Sequence, residues 1–447
     1  MIKISLITIL FMILASCHRT PETIVNLHMD GPRQNTEVVL MTKDSNYVIT
    51  LDSTNTASFI LSEKIKPGYA VMYMDDRHIL TYVDPGKSFN ITARIDGTQI
   101  ISTFNGAGAA KSQYLNHSVP QFTPDFKLNE ADFIASLDKK WQKMDSTLMA
   151  QGFDDTFNRL EKNRLTYTIY RELPKYFFYH PFETLDANYK PSEAIYTKLR
   201  EVFTEDESLL DLAAYQEFIN EYVIVMLKLY LNNVGQLQYA KNQLHYIEQN
   251  FKKPAIIEYL TNRIIYAYIE QNGIKDLPEL TVIYNAKVTD KEKKHRFKEL
   301  CGKWLRIAPG QPSPSFKCQD INGKEISLSD LKGKYIYIDN WATWCGPCCR
   351  EIPALEKLEK KYRDKNIYFV SISYDEDKTV WEKKVKKENL SGIQLHIGTD
   401  YSFAKTYMIS AIPRFILLDR EGYIINAHMS HPSDPETIHL LDTLEGI

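Results

Sequence analysis

Residues Tyr335-Ile336-Tyr337-Ile338-Asp339-Asn340-Trp341-Ala342-Thr343-Trp344-Cys345-Gly346-Pro347-Cys348 carry two cysteines three apart, where an apolar strand pattern turns into a helical one. That junction is what thiol chemistry needs. A cysteine at a helix N-terminus meets unpaired N–H groups and the positive end of the helix dipole, which stabilise a thiolate. In such sites a thiol pKa falls toward ~7 or lower, so Cys345 can attack a disulfide at neutral pH. Cys348 lies one turn further on the same face, placed to attack a mixed disulfide and release the product.

Strands and helices alternate outward from this motif, after the short linker Ala308-Pro-Gly-Gln and the opening Pro312-Ser313-Pro314. The spacing predicts strands over Lys334–Asn340 and Ile367–Ser373 and helices over Cys345–Lys361 and Asp377–Glu388. A strand pair over Phe415–Asp419 and Tyr423–Asn426 and a closing helix over Pro435–Leu444 follow. Such alternation argues for an α/β domain with a central mixed sheet over residues 309–447.

Trp344-Cys345-Gly346-Pro347-Cys348 has the active-site sequence of thioredoxins, and Gly310 to Ile447 resembles the extracytoplasmic TlpA and ResA type of thiol-disulfide reductase. The resemblance covers roughly the last third of the chain and implies a thioredoxin fold with Trp344, Gly346 and Pro347 in the active-site loop. It also implies a cis-proline at Ile412-Pro413, some 65 residues past the cysteines, whose backbone pairs with an incoming extended peptide. Asp339 matches the buried acid that helps the second cysteine lose its proton, and Glu351 matches the active-site glutamate of the ResA type. With both acids present, the proton carrier stays unassigned between them. Pro353 fits the kinked first helix of the fold.

Two positions depart from the family. Cys349 stands where Lys or Arg is usual, read as a packing or surface residue or as a third thiol that competes in exchange. No Lys occupies the strand Ile367–Ser373, where cytoplasmic thioredoxins carry one near their buried acid. A Cys-x-x-Cys can also be half a zinc site, but no second pair completes four ligands, so no metal and no cofactor are expected. His428 and His431 are spaced like ligands but read as surface, the lysines at 383, 384, 386 and 387 read as a solvated helix face, and a bridge between Cys301 and Cys318 stays open.

Upstream, residues 22–106 show eight short extended segments between Asp, Gly, Pro and Asn turn signals, the pattern of an antiparallel, all-β sandwich-like domain. The layout is similar to the small β-domain that precedes thioredoxin-like domains in Bacteroidetes lipoproteins. From 109 to 308 the period becomes helical, as in Phe133, Leu137, Trp141, Met144 and Leu148, with room for about six to nine helices. Tyr222–Leu231 is apolar but short and broken by Lys228, so it reads as a buried helix. The frequent tyrosines, among them Tyr167, Tyr170, Tyr176 and Tyr179, read as aromatic packing, with a partner groove as the alternative.

Residues 1–17 open with Lys3 and an apolar run, Ile4–Leu14, too short to span a bilayer and of the length of a signal peptide. Leu14-Ala15-Ser16-Cys17 resembles the bacterial lipobox, which implies lipidation of Cys17, anchoring in the lipid bilayer and a periplasm-facing chain in the cell envelope. Fifty-four Lys and Arg against 57 Asp and Glu, with no long basic stretch, argue against nucleic acid. The reading that follows is a membrane-anchored oxidoreductase that reduces disulfides in exported proteins and draws electrons from an upstream membrane thiol donor. A disulfide isomerase dimerised through the N-terminal region and a binding lipoprotein with a vestigial thioredoxin domain are the alternatives.

Overall fold

The computed structural model describes residues 22–31, 36–74, 77–97, 99–117, 122–227, 235–274 and 276–447. Cys17 and the apolar run before it lie outside the described residues, as do positions 228–231 of the apolar stretch Tyr222–Leu231. The chain divides into two compact units, Met1–Thr204 with Ser208–Glu221, and Glu205–Glu207 with Tyr222–Ile447. Among the described residues no helix is long and apolar enough to cross a membrane.

The first unit opens with eight strands: β1 (Thr23–Asp30), β2 (Glu37–Thr42), β3 (Asn46–Thr50), β4 (Thr56–Leu61), β5 (Gly68–Met74), β6 (Arg77–Val83), β7 (Phe89–Asp96) and β8 (Gln99–Asn105). They form two sheets, β4-β1-β7-β8 and β3-β2-β5-β6. Alternate residues point inward, so Val25, Phe59 and Ile91 of one sheet and Val38, Met72 and Ile79 of the other share one core. The expected antiparallel pattern holds except at β1 and β7, which run parallel with Val25 opposite Phe89. A parallel pair needs a crossover, and here the chain crosses through β5 and β6 of the opposite sheet before returning.

Ten α-helices follow among the described residues: α1 (Ala109–His117), α2 (Glu130–Met149), α3 (Asp155–Tyr170), α4 (Glu172–Thr184), α5 (Glu193–Val202), α6 (Ala213–Met226), α7 (Gln236–Asn250), α8 (Pro254–Asn272), α9 (Leu277–Lys287) and α10 (Lys291–Leu305). The sequence pattern allows for fewer because some breaks carry no Gly or Pro signal. Arg171 alone separates α3 from α4 while itself in helical conformation. In α2 the periodic residues Phe133, Leu137, Met144 and Leu148 are all buried, and Asn129 caps its start by accepting the Asp132 N–H. Tyr167, Tyr170 and Tyr176 are core residues, whereas Tyr179 is half exposed.

The second unit ends in β9 (Lys317–Asp320), β10 (Glu325–Ser327), β11 (Tyr335–Trp341), α11 (Gly346–Lys361), β12 (Ile367–Ser373), α12 (Lys378–Glu388), β13 (Ile393–His396), α13 (Ser402–Thr406), β14 (Arg414–Leu418), β15 (Ile424–Met429) and α14 (Pro435–Asp442). The mixed sheet runs β10-β9-β13-β12-β11-β14-β15, with β11, β12 and β13 parallel. Every residue of β11 is buried, which its near-continuous apolar run requires of a central strand. Ile336 and Ile338 share a core with Tyr284, Trp304 and Ile307 of the helical segment, while Tyr337 faces Leu355 and Leu358 of α11 and Leu441 of α14. The linker runs along the start of edge strand β15: Gly310 N–H donates to the Ile424 carbonyl (2.7 Å), Ile424 N–H to the Gln311 carbonyl (2.8 Å), and Ser313 N–H to the Gly422 carbonyl (3.0 Å). The chain is thus multidomain, with a β sandwich, a helical middle and a C-terminal α/β thioredoxin fold.

Candidate redox site

β11 delivers the chain to α11 through Ala342-Thr343-Trp344. Cys345 is the N-cap of α11, in extended conformation (φ −80°, ψ 96°), and Pro347 sits in the first turn, where its missing N–H leaves no hydrogen bond unmade. The Cys348 N–H donates to Cys345 Sγ at 3.2 Å, so the sulfur takes one of the helix's orphan donors and lies at the positive end of its dipole. Cys345 and Cys348 are joined as a disulfide. Both cysteines are buried, while Trp344 beside them is 69% exposed. Cys345 Sγ lies 3.6 Å from the carbonyl oxygen of Ile412, and the Ile412–Pro413 peptide is cis. The fold therefore brings Pro413 to the cysteine pair across 65 residues of sequence.

Two residues that escape the sequence reading fix this loop. Buried Asp375, just past β12, accepts the Thr343 N–H at 3.0 Å, the Thr343 hydroxyl at 2.6 Å and the Ser373 hydroxyl at 2.7 Å. Asn340, fully buried on β11, donates to the Arg414 carbonyl at 2.9 Å and accepts the Tyr374 hydroxyl at 3.0 Å, tying the strand that leads into the cysteine motif to the residue after Pro413. Asp375 carries a signal in hindsight: an acid at the C-terminal end of the strand parallel to the motif strand, where sites of open α/β sheets gather.

The two candidate acids occupy different settings. Asp339 is buried on β11 and receives the Ser371 hydroxyl at 3.4 Å. Burial pushes its pKa up to about 7 against the pull of Ser371, with the carboxylates of Glu359 and Glu351 adding to the rise. Where a cation is missing from β12, neighbouring anions tune this acid instead. Glu351 spends its carboxylate elsewhere: it accepts the Ser433 N–H (3.0 Å) and hydroxyl (2.9 Å), and His431 Nδ1 lies 3.4 Å away.

Cys349, half-buried, has its Sγ 3.6 Å from the Thr343 carbonyl. Cys301 and Cys318 are both free, so the bridge left open by the sequence is not formed; burial pushes the Cys318 thiol up to about 12. His428 is held down at about 4 by burial and by Arg414, and among the described residues no group of three or more His, Cys, Asp or Glu side chains converges as a metal site. On α12, Lys384 and Lys386 pair with Glu388 and Glu382.

The Redoxin family model matches residues 308–442. Thiol-disulfide oxidoreductase ResA of Bacillus cereus is 32% identical over 116 residues, 26% of this chain and 66% of that protein. The chain thus spans just under two thirds of the length of that relative. Thioredoxin-like protein YneN of Bacillus subtilis (strain 168) is 37% identical over 140 residues, 31% of this chain and 69% of its own length. Among solved structures, a thiol-disulfide oxidoreductase from Bacteroides fragilis NCTC 9343 is 29% identical, with 30% of this chain and 100% of that one covered and a TM-score of 0.27. With a relative matched at 37% identity over 69% of its length, this chain belongs to the family of thioredoxin-like proteins, and its last third is similar to the thiol-disulfide oxidoreductase ResA.

Proposed function

We propose that the protein is a protein-disulfide reductase whose reacting groups are Cys345 and Cys348. The observation that carries this reading is the disulfide between them, set at the N-terminus of α11 beside the cis Ile412–Pro413 peptide. In the reduced protein the Cys345 thiolate attacks one sulfur of a substrate disulfide; that S–S bond breaks and the other substrate sulfur leaves as a thiolate. Cys348, deprotonated in turn, attacks Cys345 Sγ, expels the second substrate sulfur and closes the Cys345–Cys348 disulfide. Two electrons pass to the substrate, and an upstream thiol donor returns them to the pair.

Pro413 presents its backbone to an extended segment of the substrate, next to Cys345, and exposed Trp344 borders the same entry. Asp339 is the proton acceptor for Cys348, since Trp341 and Ile352 contact both the acid's cavity and the cluster that holds the two cysteines. Glu351, committed to Ser433 and His431, braces the loop that leads into α14. Gly346 and Pro347 keep the intervening turn short and favour a reducing pair. The lipobox-like Leu14-Ala15-Ser16-Cys17 supports a lipid anchor at Cys17, a periplasm-facing chain and disulfide-bonded exported proteins as substrates.

The decisive measurement is the midpoint potential of the pair in the chain that begins after Cys17, by equilibration with glutathione or dithiothreitol and thiol trapping. A value at or below about −250 mV is expected of a reductase, and one near about −120 mV makes the protein an oxidant. A pair that never interconverts with its dithiol form overturns thiol exchange altogether.

A further inference from the structure

Beside Trp341, which packs against the cysteine pair, β11, α11, β12, β13 and the segment before it form a small, partly open cavity whose polar lining is Asp339, Glu356, Glu359, Ser371, Ser391 and Gln394. Its volume of about 10 Å³ matches one water molecule. The walls are polar enough to hold one: besides the carboxylates of Asp339, Glu356 and Glu359, the Gln394 side-chain carbonyl oxygen is buried there with no hydrogen-bond partner. Glu359 accepts a hydrogen bond from the Ser391 hydroxyl and is part-exposed, so its carboxylate reaches from the cavity toward solvent. Gly392 keeps the place open. A Cβ there would stand 2.5 Å from Glu359 Oε1 and 3.0 Å from the Phe369 carbonyl, and its φ of +72° suits glycine.

We propose that Glu359 is the solvent-side member of a two-carboxylate proton relay, Asp339–water–Glu359, that carries away the proton Cys348 gives up when it resolves the mixed disulfide. The inference rests on the thiol-exchange reading above. Cys348 S–H passes its proton to the Asp339 carboxylate; the Cys348 thiolate attacks Cys345 Sγ, and the bond electrons leave on the substrate sulfur. The proton then moves from Asp339 through the water to Glu359 and out to solvent, leaving Asp339 ionised for the next turnover. The charged groups that act on Asp339 are Glu359 and Glu351 of α11, with Ser371 of β12 as its hydrogen-bond donor and Tyr337 next along its own strand face. Glu359 in turn meets Ser391 and Glu356. Burial holds both relay carboxyls above their ordinary range, and like charge raises each further, through Glu359 and Glu351 at Asp339 and through Glu356 at Glu359.

The test is Glu359→Gln in the chain beginning after Cys17, read in two ways. Carboxyl-carbon NMR of the disulfide form follows Asp339: loss of the neighbouring charge is expected to move its titration midpoint downward. With Cys301, Cys318 and Cys349 replaced by Ala to remove the other free thiols, reaction of the reduced chain with 5,5′-dithiobis(2-nitrobenzoate) releases one thionitrobenzoate when Cys345 attacks and a second when Cys348 resolves. The second phase is expected to slow about tenfold, less than the 10²–10⁴ of a lost acid–base group because Asp339 remains. Glu359→Asp is expected to restore most of it. If Glu359→Gln fails to fold, Ser391→Ala, which frees the carboxylate while keeping its charge, is expected to slow the same phase. An Asp339 midpoint and a second phase that both stay unmoved overturn the relay. A parent chain that shows no second phase at all overturns the thiol-exchange reading beneath it, which the NMR titration distinguishes because it needs no turnover.

Discussion

Replacing Asp339 by Asn removes a carboxyl buried within the sheet. Its folded pKa of about 7 stands above the ordinary 3.8, because burial disfavours the charge. The sign follows directly: a raised acid gives stability that is fully present below about pH 4 and is lost as pH climbs through about 7. Each tenfold change in acid constant is worth about 1.4 kcal/mol, so ionised Asp339 costs the folded state on the order of 4 kcal/mol at pH 8. Asp339→Asn is therefore expected to match the parent near pH 4 and to exceed it by up to about 4 kcal/mol at pH 8 to 9. Urea unfolding of the oxidised chain reads the difference through tryptophan fluorescence, since Trp304, Trp341, Trp344 and Trp381 all belong to the second unit. With a slope of about 2 to 3 kcal/mol/M the midpoint of that transition should rise by about 1 to 2 M at pH 8. A stability difference that is flat across this pH range refutes the argument that Asp339 is an acid perturbed by burial. The same variant trades function for stability, and its resolving step should slow.

Cys348→Ser leaves Cys345 able to attack but not to release, so a mixed disulfide with a disulfide-containing protein should accumulate and show on a non-reducing gel; Cys345→Ser should trap nothing. Asp375→Asn turns an acceptor of three donors into a group that clashes with one of them, which should cost about 1 to 3 kcal/mol and speed amide exchange at Thr343 by roughly tenfold or more. Cys349→Ser should leave the midpoint potential of the pair within about 10 mV of the parent, well inside the ~30 mV that 1.4 kcal/mol represents; a larger move would make Cys349 a partner in exchange.

The strand and helix that hold the cysteines are legible in sequence because Tyr335–Trp341 is a buried, strand-length apolar run and Cys345–Cys348 stands at its end. The short strands β9, β10 and β13 and the five-residue α13 leave no such period, since three or four residues are too few to show alternation. The eight segments of the sandwich are visible one by one, yet the parallel contact of β1 with β7 is a matter of crossover and not of local pattern. At the site, Pro413 and Asp339 can be found through a resemblance, whereas Asp375 is not, because its grip on Thr343 joins positions 32 apart. Glu359 is harder still: within Glu356-Lys-Leu-Glu359-Lys-Lys it reads as one more charge on a solvated helix face, and only the fold turns it toward the cavity beside Asp339.

The segment Gly310–Ser313 does more than join the helices to the sheet. By bonding to Gly422 and Ile424 it occupies backbone groups along the start of an outer strand, and Pro312, which has no N–H to offer, pairs there with Tyr423. A shortened protein begun after Ser313 would bare those groups and invite one sheet to stack edge to edge on another. Chains begun ahead of Gly310 keep this seal, and at high concentration they should stay monodisperse where the shorter ones aggregate.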